Sequence, residues 1–226
     1  LPSVALGQWG PLIFASLDPA VPFDEWVKPL VERLAFFVPT RMAAAPERDR
    51  TYEVQASWLA YCDNYLEGMH IPYVHPGLAG ALDAEAYRIE LFAQAILQVG
   101  CAAAGDGYFE LPKGHPDCGE AVAAYYFALF PNTLVNLYPW GLSLNVVEPT
   151  GHDRCRVRFL TFVADHEQLE QGAGADLHTV EMEDELVVQR VARGLSSRLY
   201  RGGRYAPAHE AGVHHFHRLI SAKIAV

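Results

Sequence analysis

Trp58, Cys62, Tyr65 and Met69 recur at helical spacing after Ser57, drawing one apolar stripe with a serine placed to cap it and Pro72 placed to stop it. From Tyr87 to Val163 the pattern changes. Residues 88–99, 123–130, 133–137, 142–148 and 154–162 are short runs rich in β-branched and aromatic side chains. They are parted by Gly105-Asp106-Gly107, Pro131-Asn132 and Pro149-Thr150-Gly151, which are turn formers. These runs predict an antiparallel meander with one face against helices. Two further helices are expected over 178–200 and 208–224, joined by a loop over 201–207. Near the start, the apolar run 11–17 reads as an edge strand and 23–37 as a covering helix, followed by a Pro/Ala/Arg-rich connector up to Asp49. The fold class is therefore α+β, in one domain over 1–226.

Composition narrows the classes. With 51% hydrophobic and 19% charged residues in 226, the chain can bury a sizeable core. A formal charge of -10 argues against nucleic acid and anionic membranes as partners, since both need basic surface. No apolar run is long enough to span a bilayer, and Leu1-Pro2-Ser3-Val4-Ala5-Leu6 lacks the basic start of a secretory signal, so a cytoplasmic location is expected. Cys62, Cys101, Cys118 and Cys155 form no C-x-x-C pair, which removes zinc knuckles and redox dithiols.

The candidate chemistry lies between Asp63 and Pro76. At about 100° per residue, Asp63, Glu67 and His70 fall within roughly 60° of one another on a helix. His75 follows the Pro72 break and can fold back towards His70. Two imidazoles make an incomplete metal site, unless they are simply a helix-end and a loop histidine with ordinary hydrogen bonds. The helix over 178–200 offers a third ligand: Val180, Val187, Val191 and Leu195 make an inward stripe in which Asp184 sits, while Glu181, Glu183 and Glu185 point more outward. A buried aspartate needs a cation, which here is either a metal or an arginine such as Arg88 or Arg156. Two histidines with one aspartate would make the facial triad of non-haem Fe(II) oxygenases.

The pattern (Asp/Glu)-Asn-x-x-(Asp/Glu)-x-x-His-x4-His-Pro, met by Asp63, Asn64, Glu67, His70, His75 and Pro76, resembles the catalytic domain of the α subunit of Rieske-type non-haem iron oxygenases, the ring-hydroxylating dioxygenase family. Further likeness runs through 9–19, Glu183-Asp184, 191–197 and 200–203. The resemblance implies a helix-grip fold, a curved antiparallel sheet with a long C-terminal helix across it. It implies mononuclear Fe(II) on His70, His75 and Asp184, with Asp63 and Asn64 beside the site and Glu67 bridging towards the Rieske [2Fe-2S] cluster of a neighbouring subunit. It also implies O2 as cosubstrate, NAD(P)H electrons through a reductase or ferredoxin partner, a homotrimer, and a small organic substrate that is hydroxylated or oxidatively demethylated. The C-x-H and C-x-x-H pairs that hold a Rieske cluster are absent from the sequence. The expectation is that an N-terminal Rieske domain is missing, with residues 1–50 as the covering and linker segment after it; the alternative is that the family's electron entry has been lost.

Glutamate at the bridging position leans to the choline, betaine and carnitine monooxygenase-like branch over aromatic substrates. Tyr125, Tyr126, Phe127, Tyr138 and Trp140 are candidates to face a cationic ammonium. Asn132, Asn136 and Asn145 are candidate pocket residues, whereas His209, His214, His215 and His217 read as packing residues. Two other classes compete: a non-catalytic helix-grip ligand-binding protein, and a zinc hydrolase using Glu67 as general base.

Overall fold

The structure, a computed structural model, describes residues 3–103, 105, 107–169 and 171–224; Asp106 of the expected turn and Leu1-Pro2 lie outside them. The run expected as an edge strand is instead half of a separate two-stranded ribbon, β1 (Ala5–Trp9) and β2 (Leu12–Ser16). It packs on α1 (Phe23–Arg33) through Phe14, whose ring lies 5.4 Å from those of both Phe23 and Trp26. The connector then supplies two strands that its composition hid, β3 (Ala43–Ala44) and β4 (Arg50–Val54).

Both pair with β10 (Cys155–Val163), at the edge of an eight-stranded antiparallel sheet that runs on through β9 (Gly141–Pro149), β8 (Thr133–Tyr138), β7 (Val122–Leu129), β6 (Ala95–Cys101) and β5 (Arg88–Phe92). The expected run 88–99 is a hairpin turned at Ala93-Gln94. Where one covered face was expected, the central strands are buried on both. Leu97, Val99, Tyr125, Phe127, Val135 and Leu142 meet Leu30 and Leu34 from α1 on one side. Ile96, Ala128, Leu134, Val147, Val157 and Phe159 meet the remaining helices on the other. The sequence signal for this is Ala-Ile-Leu-Gln-Val-Gly-Cys of β6, which does not alternate and is buried throughout.

On the first face, a loop after β6 is anchored by Asp117, only 3% exposed. Its carboxylate accepts from Arg33 Nη1 and from the Tyr125 hydroxyl, each at 2.7 Å, and from Arg88.

The second face carries α2 (Trp58–Tyr65), α3 (Ile71–Val74), α4 (Pro76–Ala81), α5 (Leu177–Leu195) and α6 (Ala211–Ile224). Ser57 does cap α2, its Oγ accepting from the Leu59 N–H at 3.3 Å. Ser57→Ala is expected to cost about 1 kcal/mol, read as a lower urea midpoint at unchanged slope. However, α2 ends at Tyr65, not beyond His70, because the Leu66 N–H closes on Cys62 and Asp63 carbonyls. Pro72 lies in the first turn of α3, where a missing N–H costs nothing, so it starts a helix here. α5 likewise stops at Leu195, short of the expected 200. α6 packs close against the end of α2: a Cβ on Gly212 would lie 2.6 Å from the Leu66 carbonyl oxygen. Among the described residues no helix is long and apolar enough to cross a membrane.

Candidate metal centre and pocket

The bend at Gly68-Met69-His70 and the break before α4 bring His70 and His75 side by side, ring centroids 5.1 Å apart and nearly perpendicular. α5, packed on α2, brings Asp184 between them. One ligand atom from each of His70, His75 and Asp184 lies within 4.8 Å of the others.

Carboxylates fix both rings from behind. His70 Nδ1 meets Glu67 Oε1 at 2.6 Å, and His75 Nδ1 meets Glu183 Oε2 at 2.7 Å. With Nδ1–H donated in each case, both Nε2 atoms turn to Asp184 Oδ1, at 3.6 Å from His70 and 3.0 Å from His75. Asn64 Nδ2 donates to the same oxygen at 2.6 Å. Glu67 is also held by its other oxygen, which accepts from the Met69 and His70 backbone N–H groups. Burial works to lower the pKa of His75, but Asp184 and Glu183 outweigh it and hold the imidazole above its ordinary value.

The centre opens into a cavity of about 90 Å³ lined by Tyr61, Tyr65, Tyr87, Tyr126 and Tyr138, together with Gln98, Asn136, Asn145 and Glu181. Burial raises the pKa of all five phenols, so each stays neutral. Tyr65 donates to Asn136 Oδ1 at 2.6 Å and Gln98 Nε2 donates to the Tyr65 carbonyl at 2.5 Å, which fixes one wall. Glu181 is 3% exposed and held at one oxygen by the Tyr61 hydroxyl at 2.6 Å. Burial pushes its carboxyl well above the usual range, with Tyr61 opposing. Among the described residues, the buried side-chain polar atoms left without a partner are Gln98 Oε1, Tyr126 Oη and Glu181 Oε1, and all three residues line this cavity. Each such atom costs about 1–3 kcal/mol when left unmade, so water or a ligand in this cavity would satisfy them.

Several expectations are corrected. Asp63 does not join Glu67 and His70: with α2 ending at Tyr65, helical angles do not carry past it, and Asp63 instead takes His217 Nε2 of α6 at 2.8 Å. Glu181 and Glu183 are not an outward acidic turn; one is buried in the cavity wall and the other holds His75. The signal was present, since Glu181, Asp184 and Val188 follow i, i+3, i+7, and Glu181 and Val188 are the buried residues of α5. Val191 and Leu195, placed on the inward stripe, are 50% and 45% exposed. Asp184 pairs with neither suggested arginine: Arg88 goes to Asp117 and Glu120, and Arg156 to Glu53. Tyr138, Tyr126, Asn136 and Asn145 line the cavity, whereas Tyr125 and Phe127 face the opposite side of the sheet. Trp140 lies beyond the cavity wall, stacked on Tyr138 at 5.3 Å, with its Nε1–H on the Gly174 carbonyl at 3.2 Å. Asn132 lies in the turn between β7 and β8 and donates to the Val147 carbonyl of β9.

Two imidazoles and a carboxylate converging on one face of an antiparallel sheet are a candidate donor set of the two-histidine, one-carboxylate kind, which suits non-haem iron. The chain belongs to the family described as the ring hydroxylating alpha subunit (catalytic domain), which matches residues 42–225. It is 36% identical over 180 residues to the chloroplastic choline monooxygenase of Arabidopsis thaliana, covering 76% of this chain and 40% of that protein. It is 25% identical over 231 residues to the carnitine monooxygenase oxygenase subunit of Escherichia coli (strain K12), covering 96% of this chain and 60% of that one. The solved structure of a quaternary ammonium Rieske monooxygenase shares the fold with a TM-score of 0.79 at 22% identity, over 97% of this chain and 61% of that one. The chain thus spans 40% to 60% of the length of these two relatives.

Proposed function

We propose that this chain is the iron-bearing catalytic unit of a Rieske-type oxygenase acting on a quaternary ammonium compound. Family membership implies non-haem iron, and the donor set fits it. The observation that carries the reading is the convergence of both Nε2 atoms on Asp184, with each Nδ1 already given to a carboxylate, the usual outer support of metal-bound histidine. His70, His75 and Asp184 would hold Fe(II), which supplies the means of activating O2 against a substrate C–H bond. Asn64 orients Asp184, and Glu183 orients His75.

Glu67 is given the role of electron bridge. It touches His70 directly, and its side chain retains 14% exposure, so it reaches from the centre towards the surface. In this reading the electrons come from a [2Fe-2S] Rieske domain on a neighbouring subunit of a homotrimer, fed with NAD(P)H electrons through a reductase or ferredoxin. The zinc-hydrolase alternative would need Glu67 as a free base, yet one of its oxygens is taken by His70 and the other by two backbone N–H groups. The ammonium preference is supported by five tyrosine side chains that line a small cavity beside the centre.

The test is elemental analysis of anaerobically purified protein, with and without Asp184→Ala, alongside product formation from choline-type substrates with the electron donor supplied. The expected result is close to one iron per chain, lost in the variant. Zinc in place of iron, or an Asp184→Ala protein that keeps its iron, would overturn the reading.

A further inference from the structure

Asp117 and Glu181 are the buried carboxyls among the described residues, each 3% exposed, and the fold treats them differently. Asp117 accepts from two arginines and a tyrosine, which makes it an anchor of the fold. Glu181 has one donor, the Tyr61 hydroxyl on Oε2, and its Oε1 has none. Among the described residues no lysine or arginine lines the cavity it borders. A carboxyl left short in this way costs stability that an apolar side chain of the same size would not. Its retention is therefore not explained by packing.

Its place on α5 gives the missing partner a position. Leu177, Glu181 and Asp184 follow i, i+4, i+7 and all line the cavity, so the carboxyl stands one helical turn from the candidate metal ligand on the same face. Tyr61 of α2 fixes it by holding Oε2 at 2.6 Å. Leu78, Phe159, Leu177 and Val180 of the same cavity wall have apolar side chains and offer Oε1 nothing. A fully methylated ammonium has no N–H and makes no such bond either. A hydroxyl both donates and accepts, so it satisfies Oε1 whether the carboxyl is neutral or charged.

We infer that Glu181 is a specificity-determining residue of this centre, its free oxygen hydrogen-bonding a hydroxyl of the bound substrate while Tyr61 holds the other oxygen in place. This rests on the proposed oxygenase reading of the cavity and adds to it the residue that reads a polar substituent, since His70, His75 and Asp184 are given to the metal. Tyr61 is a positioning residue that acts through Glu181. A site that hydrogen-bonds a ligand hydroxyl rejects the analogue lacking it, because the buried partner is then left unpaired.

Calorimetric titration of the iron-loaded protein under argon with a matched pair tests this: choline, and ethyltrimethylammonium, which lacks only the hydroxyl. Choline is expected to bind about ten- to a hundredfold more tightly. In Glu181→Met the ratio should fall to about one, whereas Glu181→Gln, whose amide still donates and accepts, should keep most of it. Equal binding of the pair by the wild type, as when water alone occupies Oε1, or a ratio that survives Glu181→Met, overturns the inference. A second measurement needs no ligand. Tyr61→Phe/Glu181→Met removes both partners and keeps their shapes, so its urea midpoint should lie at or above that of the wild type. A clearly lower midpoint would make the pair a structural one and overturn the inference as well. Failure of both probes to bind overturns the ammonium reading beneath it, and the midpoint still decides the role of Glu181.

Discussion

His75→Ala is expected to leave the protein without iron and without oxygenase activity, while its secondary structure persists. His75 is the most buried member of the candidate triad, 1% exposed, and its two nitrogens connect Glu183 to Asp184 across the centre. Removing the ring takes away a ligand and leaves two carboxylates facing a void, one of which keeps Asn64 as partner. The alternative is that His75 is a structural histidine pairing α5 to the segment before α4. That reading predicts a drop in stability with metal content intact. Glu183→Gln separates the two further: an amide can still accept from Nδ1–H but is a weaker orienter, so metal affinity should fall by about 10–100-fold without vanishing. Elemental analysis and a thermal melt on both variants decide the matter. Normal iron in His75→Ala with a lowered melting temperature would remove His75 from the ligand set.

Much of this arrangement is legible in the sequence, and where it is not the reasons are physical. The strands from β7 to β10 stand out because β-branched and aromatic runs end at Pro131-Asn132 and Pro149-Thr150-Gly151, which cannot continue a ladder. β4 did not, because Arg-Thr-Tyr-Glu-Val follows an arginine-rich connector and becomes a strand by pairing with β10 more than a hundred residues later. The histidine pair and Asp184 could be listed from spacing and resemblance. Their company could not. Treating 57–70 as one helix put Asp63 on the wrong side, since a one-turn change of path at Leu66 redirects everything after it. Acidic residues near a helix start are usually solvated, and in the sequence nothing sets Glu181 apart from them. Its burial depends on Tyr61 from α2, a partner 120 residues away that helix periodicity does not reveal.

The same long-range logic governs the opposite face of the sheet, where Asp117→Asn is expected to destabilise the fold by about 3–5 kcal/mol at neutral pH. Asp117 is buried, and its carboxylate receives Arg33, Arg88 and Tyr125 from α1, β5 and β7. An asparagine keeps the shape but cannot neutralise Arg33, whose side chain is only 10% exposed. Glu90 stays as a second partner for that arginine at 2.5 Å, and Arg88 is a third exposed, so the lower end of the range is the better expectation. Burial acts to raise the Asp117 carboxyl, but Tyr125 and Arg33 outweigh it and hold it below the ordinary value. A depressed carboxylate binds fewer protons folded than unfolded, so its stabilisation is complete above the unfolded pKa of about 3.9 and is lost as pH falls through the folded value. The gap between wild type and Asp117→Asn should therefore be flat from pH 7 down to about 5 and close only below about pH 4, when the wild-type carboxyl itself becomes neutral. Urea unfolding across that range measures it. A gap under about 1 kcal/mol at pH 7 would mean that the arginines find other partners, and a gap independent of pH down to the acid limit would mean that the loss is one of packing, with charge playing no part.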